Sequence, residues 1–258
     1  MKNKQLILIV NDDGITAPGI KALINIAKDF GEVVVVAPDS PQSAKGHALT
    51  ITVPLRLKET DIFGDIKAFE CSGTPVDCVK LAKNFVLGNR KIDLCLSGIN
   101  HGSNVSSNIL YSGTMSAAME ASMEGVDSIG FSLLDFSMKA DFSQCTAYIK
   151  QIIDHELAHG PKTGRLLNVN IPKIAAADIK GIKVCRQANA RWKENYVEGT
   201  DPYGGKYYWL SGDFVNHDTG EDTDVWALEN NYISVVPSMH DLTDHKMLEK
   251  MKSDHYQS

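Results

Sequence analysis

Apolar residues in the first half of the chain come in short unbroken blocks separated by polar turns. Leu6–Val10 (LILIV) is wholly apolar, and EVVVVAP (32–38) is nearly so and rich in β-branched residues. Blocks of that length without polar alternation read as strands covered on both faces. Between them, Ala17–Asp29 reads as a helix, with Thr16 as its N-cap and Pro18 in its first turn. Residues 49–70 read as extended, hairpin-like excursions. Thr74, Pro75 and Asp77 then have the spacing of a cap, a first helical residue and a capping-box partner, and they open a helix that runs to about Val86. KIDLCLSGIN (91–100) and DSIGFSLL (127–134) predict two more strands, with a helix over Thr114–Gly125 between them.

Strands alternating with helices of this length predict an α/β protein with a doubly wound, mostly parallel sheet, a Rossmann-like three-layer α/β/α arrangement. Ligands of such sheets bind at the carboxyl ends of the strands. NDDG (11–14), APDSPQS (37–43) and SGINHGSN (97–104) are all strand-end loops, so the fold alone brings them to one edge. The second half is less regular. Asp141–His159 reads as helix, RLLNVNIP (165–172) and IKGIKVCRQA (179–188) as strands, and WKENYVEGTDPYGGKYYWLSGD (192–213) as a long hairpin turning at Gly204-Gly205. The change of pattern puts a boundary near residue 135. Residues 1–135 would form the catalytic core, and 136–258 would complete the fold and carry the hairpin (about 190–213). The aromatic crowd on that hairpin calls for a cover, which is either a partner subunit or the chain's own domain.

Composition narrows the function classes. With 26 Lys and Arg against 32 Asp and Glu, the net charge of -6 provides no basic field for a nucleic-acid polymer. The apolar run at the N-terminus is too short for a signal-peptide core or a membrane span. Cys71, Cys78, Cys95, Cys145 and Cys185 are odd in number and scattered without a CxxC, so a reduced, cytoplasmic protein with small thiols in its core is expected.

The chemistry-bearing residues lie in the strand-end loops. Adjacent carboxylates at Asp12 and Asp13 repel unless a divalent cation lies beside them; the alternative is that they only cap the turn and the following helix. Oxygen-only ligands favour Mg²⁺ or Mn²⁺, and the Ser43 hydroxyl and Asn100 carbonyl are candidates to complete the shell. Ser112, Gly113 and Thr114 precede a helix and suit a phosphate, although an ordinary N-cap also accounts for them, as it does for the same triplet at Ser72–Thr74. His47 is either a proton donor at the site or a packing residue. HELAH (155–159) matches the zinc-protease pattern, but Gly160-Pro161 ends the helix at once and no third ligand follows, so it is read as coincidence. DTGEDTD (218–224) lacks an EF-hand register and reads as a solvated loop leading into a helix. Neither G-x-G-x-x-G after a strand nor a Walker lysine occurs.

Taken in order and spacing, ILIVNDDGITAPGI, VVAPDSPQSAKGHALT, CSGTPVDCVKLA, DLCLSGINHGSN and YSGTMSAAMEA resemble the SurE (survival protein E) nucleotidases, as do TDPYGGKYYWLSG, DTDVWAL and YISVVP later in the chain. The resemblance implies a metal-dependent phosphomonoesterase that hydrolyses nucleoside 5′- and 3′-monophosphates by attack of activated water, and that in some members trims short polyphosphate. It implies one Mg²⁺ or Mn²⁺ per subunit on Asp12, Asp13, Ser43 and Asn100, and phosphate contacts at Asn104, Ser112, Gly113 and Thr114. It also implies a homodimer or homotetramer joined through the aromatic hairpin and a C-terminal helix. Tyr111 departs from the family, where many members carry His. Two rivals remain. A phosphate-receiver module lacks its third Asp here, and a noncatalytic metal-dependent nucleotide-binding subunit is separated from an enzyme only by assay.

Overall fold

A computed structural model describes residues 4–137, 139–158 and 163–253. The predicted apolar blocks form the centre of a nine-stranded sheet. β1 (Gln5–Val10), β2 (Gly31–Pro38), β4 (Lys67–Cys71), β5 (Leu94–His101), β6 (Ser128–Leu133) and β7 (Leu166–Ile171) run parallel. β3 (Leu57–Thr60) lies antiparallel on β4 at one edge, where the excursions were expected. At the other edge β11 (Ile233–Ser238) lies antiparallel on β7 and carries β8 (Ile182–Val184) parallel to itself. The spatial order is β3-β4-β2-β1-β5-β6-β7-β11-β8. The chain therefore moves outward from β1 to one side and then returns to its other side through β5. That reversal leaves a crevice at the carboxyl ends of β1 and β5, the usual ligand position in such sheets.

Full burial of β1 explains its unbroken apolar sequence. Ile7 and Ile9 pack on one face with Ile20 and Leu23 of α1 (Pro18–Ala27) and Ile149 and Ile153 of α4 (Thr146–Ala158). Leu6, Leu8 and Val10 face the other layer with Cys78 and Val79 of α2 (Pro75–Leu81) and Ala117 and Ala121 of α3 (Gly113–Met123). The cysteines are buried free thiols. No helix among the described residues is long and apolar enough to cross a membrane.

Local signals mostly hold. Thr74 accepts from the Asp77 amide while the Asp77 carboxylate accepts from the Thr74 amide, a complete capping box with Pro75 in the first turn. The cap of α1 is a correction: Ala17, not Thr16, holds that position, and no side chain caps the helix. Pro18 takes the first helical place and forces the residue before it to be extended. DTGEDTD does lead into α5 (Asp224–Glu229) with Thr223 as its cap, but Asp224 is fully buried rather than solvated. It accepts from the amides of Ser106, Ala188 and Val225, so a distant loop supplies donors that local sequence could not announce.

The hairpin is longer than predicted. β9 (Ala190–Thr200) pairs with β10 (Lys206–Asn216) from Ala190 opposite Asn216 to Thr200 opposite Lys206, and with no other strand among those described. Its arms keep Tyr196, Tyr208, Trp209 and Leu210 exposed, and Tyr203 at the turn is 98% exposed. The arm therefore does not fold back on its own domain. A short exposed helix, α6 (His245–Ser253), follows β11.

Candidate active site

The reversal of the sheet delivers the predicted loops to one pocket of about 280 Å³, lined by Asp12, Ser43, Asn100, Asn104 and Ser112, with Tyr111, Phe136 and Trp192 at its margin. Gly14, at φ +96°, lets the chain turn at the end of β1. The loop after β2 is tied down beside it, because the Gln42 amide donates to the Asp12 carbonyl (2.7 Å). Ser43 thereby reaches the same pocket as Asp12.

Asp12 is buried and held from one side by the start of α3. The Thr114 hydroxyl donates to its Oδ1, and the amides of Gly113 and Thr114 add further bonds. Gly113 is the residue that permits this approach, since a Cβ there would lie 2.6 Å from the Asp12 Cβ. Burial nevertheless raises the Asp12 carboxyl above its ordinary range, and the hydrogen bonds only oppose it. Asp13 is raised to about 6, first by burial and then by the charge of Asp12, against the opposing pull of the His101 ring and amide. Its Oδ2 is buried and has no hydrogen-bond partner.

The remaining donors are oriented by long-range bonds. The Asn100 side-chain amide gives its N–H groups to the carbonyls of Gly102 (2.8 Å) and His101 (3.3 Å), leaving its oxygen free. Asn104 sits in a polar cradle: its amide donates to Asn170 Oδ1, its carbonyl accepts from Asn168 Nδ2, and its Nδ2 donates to Ser132 Oγ. Ser112 caps α3 by accepting from the Met115 amide. Thr114 is fully buried, its hydroxyl committed to Asp12. Of the proposed phosphate contacts, Asn104 and Ser112 line the pocket while Gly113 and Thr114 stand behind Asp12.

A cation fits this donor set. The Asp12 carboxylate shares the pocket with the Asn100 amide and the Ser43 hydroxyl, while Asp13, the next residue, is not among the pocket's lining residues but is also raised and keeps an orphaned oxygen; all of these ligands are hard. No group of three or more His, Cys, Asp or Glu among the described residues is placed to hold a metal ion, so a zinc-type cluster finds no support. His155 of HELAH lies beside Glu156 on α4, and His159 falls outside the described residues. His47 is drawn away from the pocket floor to Glu120 of α3 (2.8 Å), which also pairs with Lys80.

Sequence reading passed over His101, although it follows Asn100 directly, and Asn168 and Asn170. The last two carried a signal: two asparagines at i and i+2 inside an apolar strand must share a face and find polar partners.

The family model of survival protein SurE matches residues 7–194. The 5′-nucleotidase SurE of Cytophaga hutchinsonii is 58% identical over 252 residues, covering 98% of this chain and 97% of the relative. That of Christiangramia forsetii is 56% identical over 254 residues, covering 98% and 97%. The crystal structure of SurE protein from Aquifex aeolicus superposes with a TM-score of 0.82 at 41% identity, covering 97% of this chain and 99% of that one. By sequence over nearly its whole length and by fold, the chain belongs to the SurE family.

Proposed function

We propose that this chain is a 5′-nucleotidase, a phosphomonoesterase that hydrolyses nucleoside 5′-monophosphates to nucleoside and phosphate with one divalent cation, Mg²⁺ or Mn²⁺. The observation that carries the proposal is the pairing of buried Asp12 with its half-buried neighbour Asp13 at the crevice of the sheet, both carboxyls raised by burial and Asp13 keeping one oxygen without a hydrogen-bond partner. Nucleotidase names on relatives at 55–58% identity support it.

Asp12, Asp13, Ser43 and Asn100 would hold the cation. When bound, it supplies Lewis acidity toward phosphoryl oxygens and toward water. The start of α3 fixes the Asp12 carboxylate in one orientation through Thr114 and the amides of Gly113 and Thr114. Asp13 holds the ion or orients the attacking water through its free Oδ2. Asn104 has one N–H spent on Ser132 and a second to offer a phosphoryl oxygen, and its clamped backbone means that little reorganisation is needed as charge develops. Phosphate monoesters are among the slowest to hydrolyse unaided, which is why a rigid, preorganised site is required. The same chemistry extends the proposal to nucleoside 3′-monophosphates and short polyphosphate. The exposed hairpin and α6 are the surfaces through which copies of the chain would form a homodimer or homotetramer.

The test is phosphate release from AMP and 3′-AMP by protein stripped with EDTA and resupplied with Mg²⁺ or Mn²⁺, beside Asp12→Asn. Cation-dependent release that collapses in the variant is expected. Nucleotide binding with no release under any cation would refute the enzyme and leave a noncatalytic binding subunit.

A further inference from the structure

Three aromatic side chains stand around the mouth of the polar pocket with much of their surface in water. Tyr111 is 62% exposed, Phe136 71% and Trp192 43%, and all three line the pocket that contains Asp12, Asn100 and Asn104. They come from three separate parts of the chain: the turn before α3, the loop after β6 and the root of the hairpin. Exposed aromatics converging on a site are costly unless something covers them.

Each is held in place by its own chain. The Trp192 Nε1–H donates to Asn108 Oδ1 (3.0 Å), and its ring meets Phe214 edge-on with centroids 5.9 Å apart. The hairpin root that carries it is fastened to the site loop, since the Ser106 hydroxyl bonds the carbonyls of Ala188 and Ala190. The ring of Phe136 rests against Gly102, where any side chain would displace it. Beside Tyr111, the Gly46 amide donates to the Tyr111 carbonyl (3.2 Å). The Trp192 and Phe136 rings, and the backbone that carries Tyr111, are thus set by the fold before any ligand arrives.

Size supplies the second half of the case. At about 280 Å³ the pocket is just below the range of about 300–1,000 Å³ usual for whole small-molecule ligands. A phosphoryl group among Asp12, Asn100 and Asn104 leaves the far end of a nucleotide at the rim. Tyr111 and Trp192 also border a neighbouring cleft of about 670 Å³, so space continues beyond them.

We propose that Tyr111, Trp192 and Phe136 form a stacking subsite for the nucleobase, through which this site prefers nucleoside monophosphates over phosphomonoesters without an aromatic group. The subsite presupposes the nucleotidase assignment of the same pocket. Stacking is available to every base because every base has a π-face, so the subsite reads the presence of a base and not its identity. Among the described residues, the one side-chain hydrogen bond of these three rings, Trp192 to Asn108, is internal. AMP, GMP, CMP and UMP should accordingly lie within a few-fold of one another, while ribose 5-phosphate falls well behind.

The experiment compares kcat/KM for AMP and ribose 5-phosphate with cation supplied, and in parallel the binding of adenosine and ribose by equilibrium dialysis. The proteins are the native chain, Tyr111→Ala, Trp192→Ala and Tyr203→Ala at the far tip of the hairpin. Losing one stacked ring is worth roughly 10-fold. The AMP to ribose 5-phosphate ratio should therefore fall roughly 10-fold in Tyr111→Ala and in Trp192→Ala, mostly through KM, with adenosine binding weakened alongside, and should not move in Tyr203→Ala. Tyr111→Phe, which keeps the ring, should restore the ratio and serves as the check on folding. A native ratio near one, or equal losses on both substrates, overturns the subsite while phosphate release from both still upholds the nucleotidase. Adenosine bound in preference to ribose with no release from either phosphate ester upholds the subsite and refutes the nucleotidase.

Discussion

Replacing Asp13 by Asn should make the metal-free protein more stable while abolishing its activity. The Asp13 carboxyl is raised from 3.8 to about 6, by burial and by the charge of Asp12. Keeping it ionised in the folded chain at pH 7.5 then costs at most about 3 kcal/mol, taking about 1.4 kcal/mol per pH unit. Asp13 is only half-buried, and solvent screening halves that figure to about 1.5 kcal/mol. Asn keeps an oxygen for the His101 amide and removes the charge. For a domain of this size the gain corresponds to roughly 3–6 °C in melting temperature.

The pH dependence follows in sign. A carboxyl raised on folding contributes stability below its unfolded value near 3.8 and loses that contribution as pH rises through about 6. The advantage of Asp13→Asn should therefore be full at pH 7.5 and fade toward pH 4. Saturating Mg²⁺ or Mn²⁺ should reverse the order: the native chain gains about 2.7 kcal/mol at a cation concentration 100 times its dissociation constant, and the variant gains little. Thermal unfolding in EDTA and in Mn²⁺, at pH 7.5 and 4.5, measures all four values. A variant less stable than the native chain in EDTA at pH 7.5 would show that the protein already compensates Asp13, and the case for a cation there would lose its physical basis.

Gly113→Ala places a methyl group 2.6 Å from the Asp12 Cβ, on a helical residue that otherwise tolerates Ala; phosphate release should fall at least about 100-fold with little change in far-UV circular dichroism. Asn170→Ala leaves the buried Asn104 amide and the Asn168 oxygen unpartnered, so urea denaturation should show a loss of about 2–4 kcal/mol, and release from AMP should fall with it. Tyr208→Ser combined with Trp209→Ser removes exposed apolar surface from the hairpin without touching the core; light scattering after size exclusion should show smaller assemblies than the native chain at equal concentration.

Much of the molecule is legible in one dimension because the physics that produced it is local or periodic. Leu6–Val10 is apolar at every position since both faces of β1 are covered, and Thr74-Pro75-Asp77 closes its capping box within four residues. Parallel strands alternating with helices put the loops of Asp12, Ser43 and Asn100 on one edge, so these residues could be singled out as candidates from the pattern, whereas Asn104 entered only through the family resemblance. Even there, proline chemistry one residue away moved the cap of α1 from Thr16 to Ala17.

What the sequence could not announce depends on partners far along the chain. Thr114 reads as a phosphate contact, yet folding turns its hydroxyl onto Asp12, 102 residues away. Asp224 reads as solvated until the amides of Ser106 and Ala188 surround it. Asn168 and Asn170 become the cradle of Asn104 only when β7 is laid beside β6. Sequence by itself determined which segments bury their faces and which residues could bear charge at the sheet's edge, because hydrophobic period and turn chemistry act over a few residues. Tertiary structure alone decided which hydroxyl or amide satisfies each of those charges, and which aromatics ring the mouth, because a hydrogen bond or a stacked ring is set by where the backbone arrives and not by its neighbours in sequence.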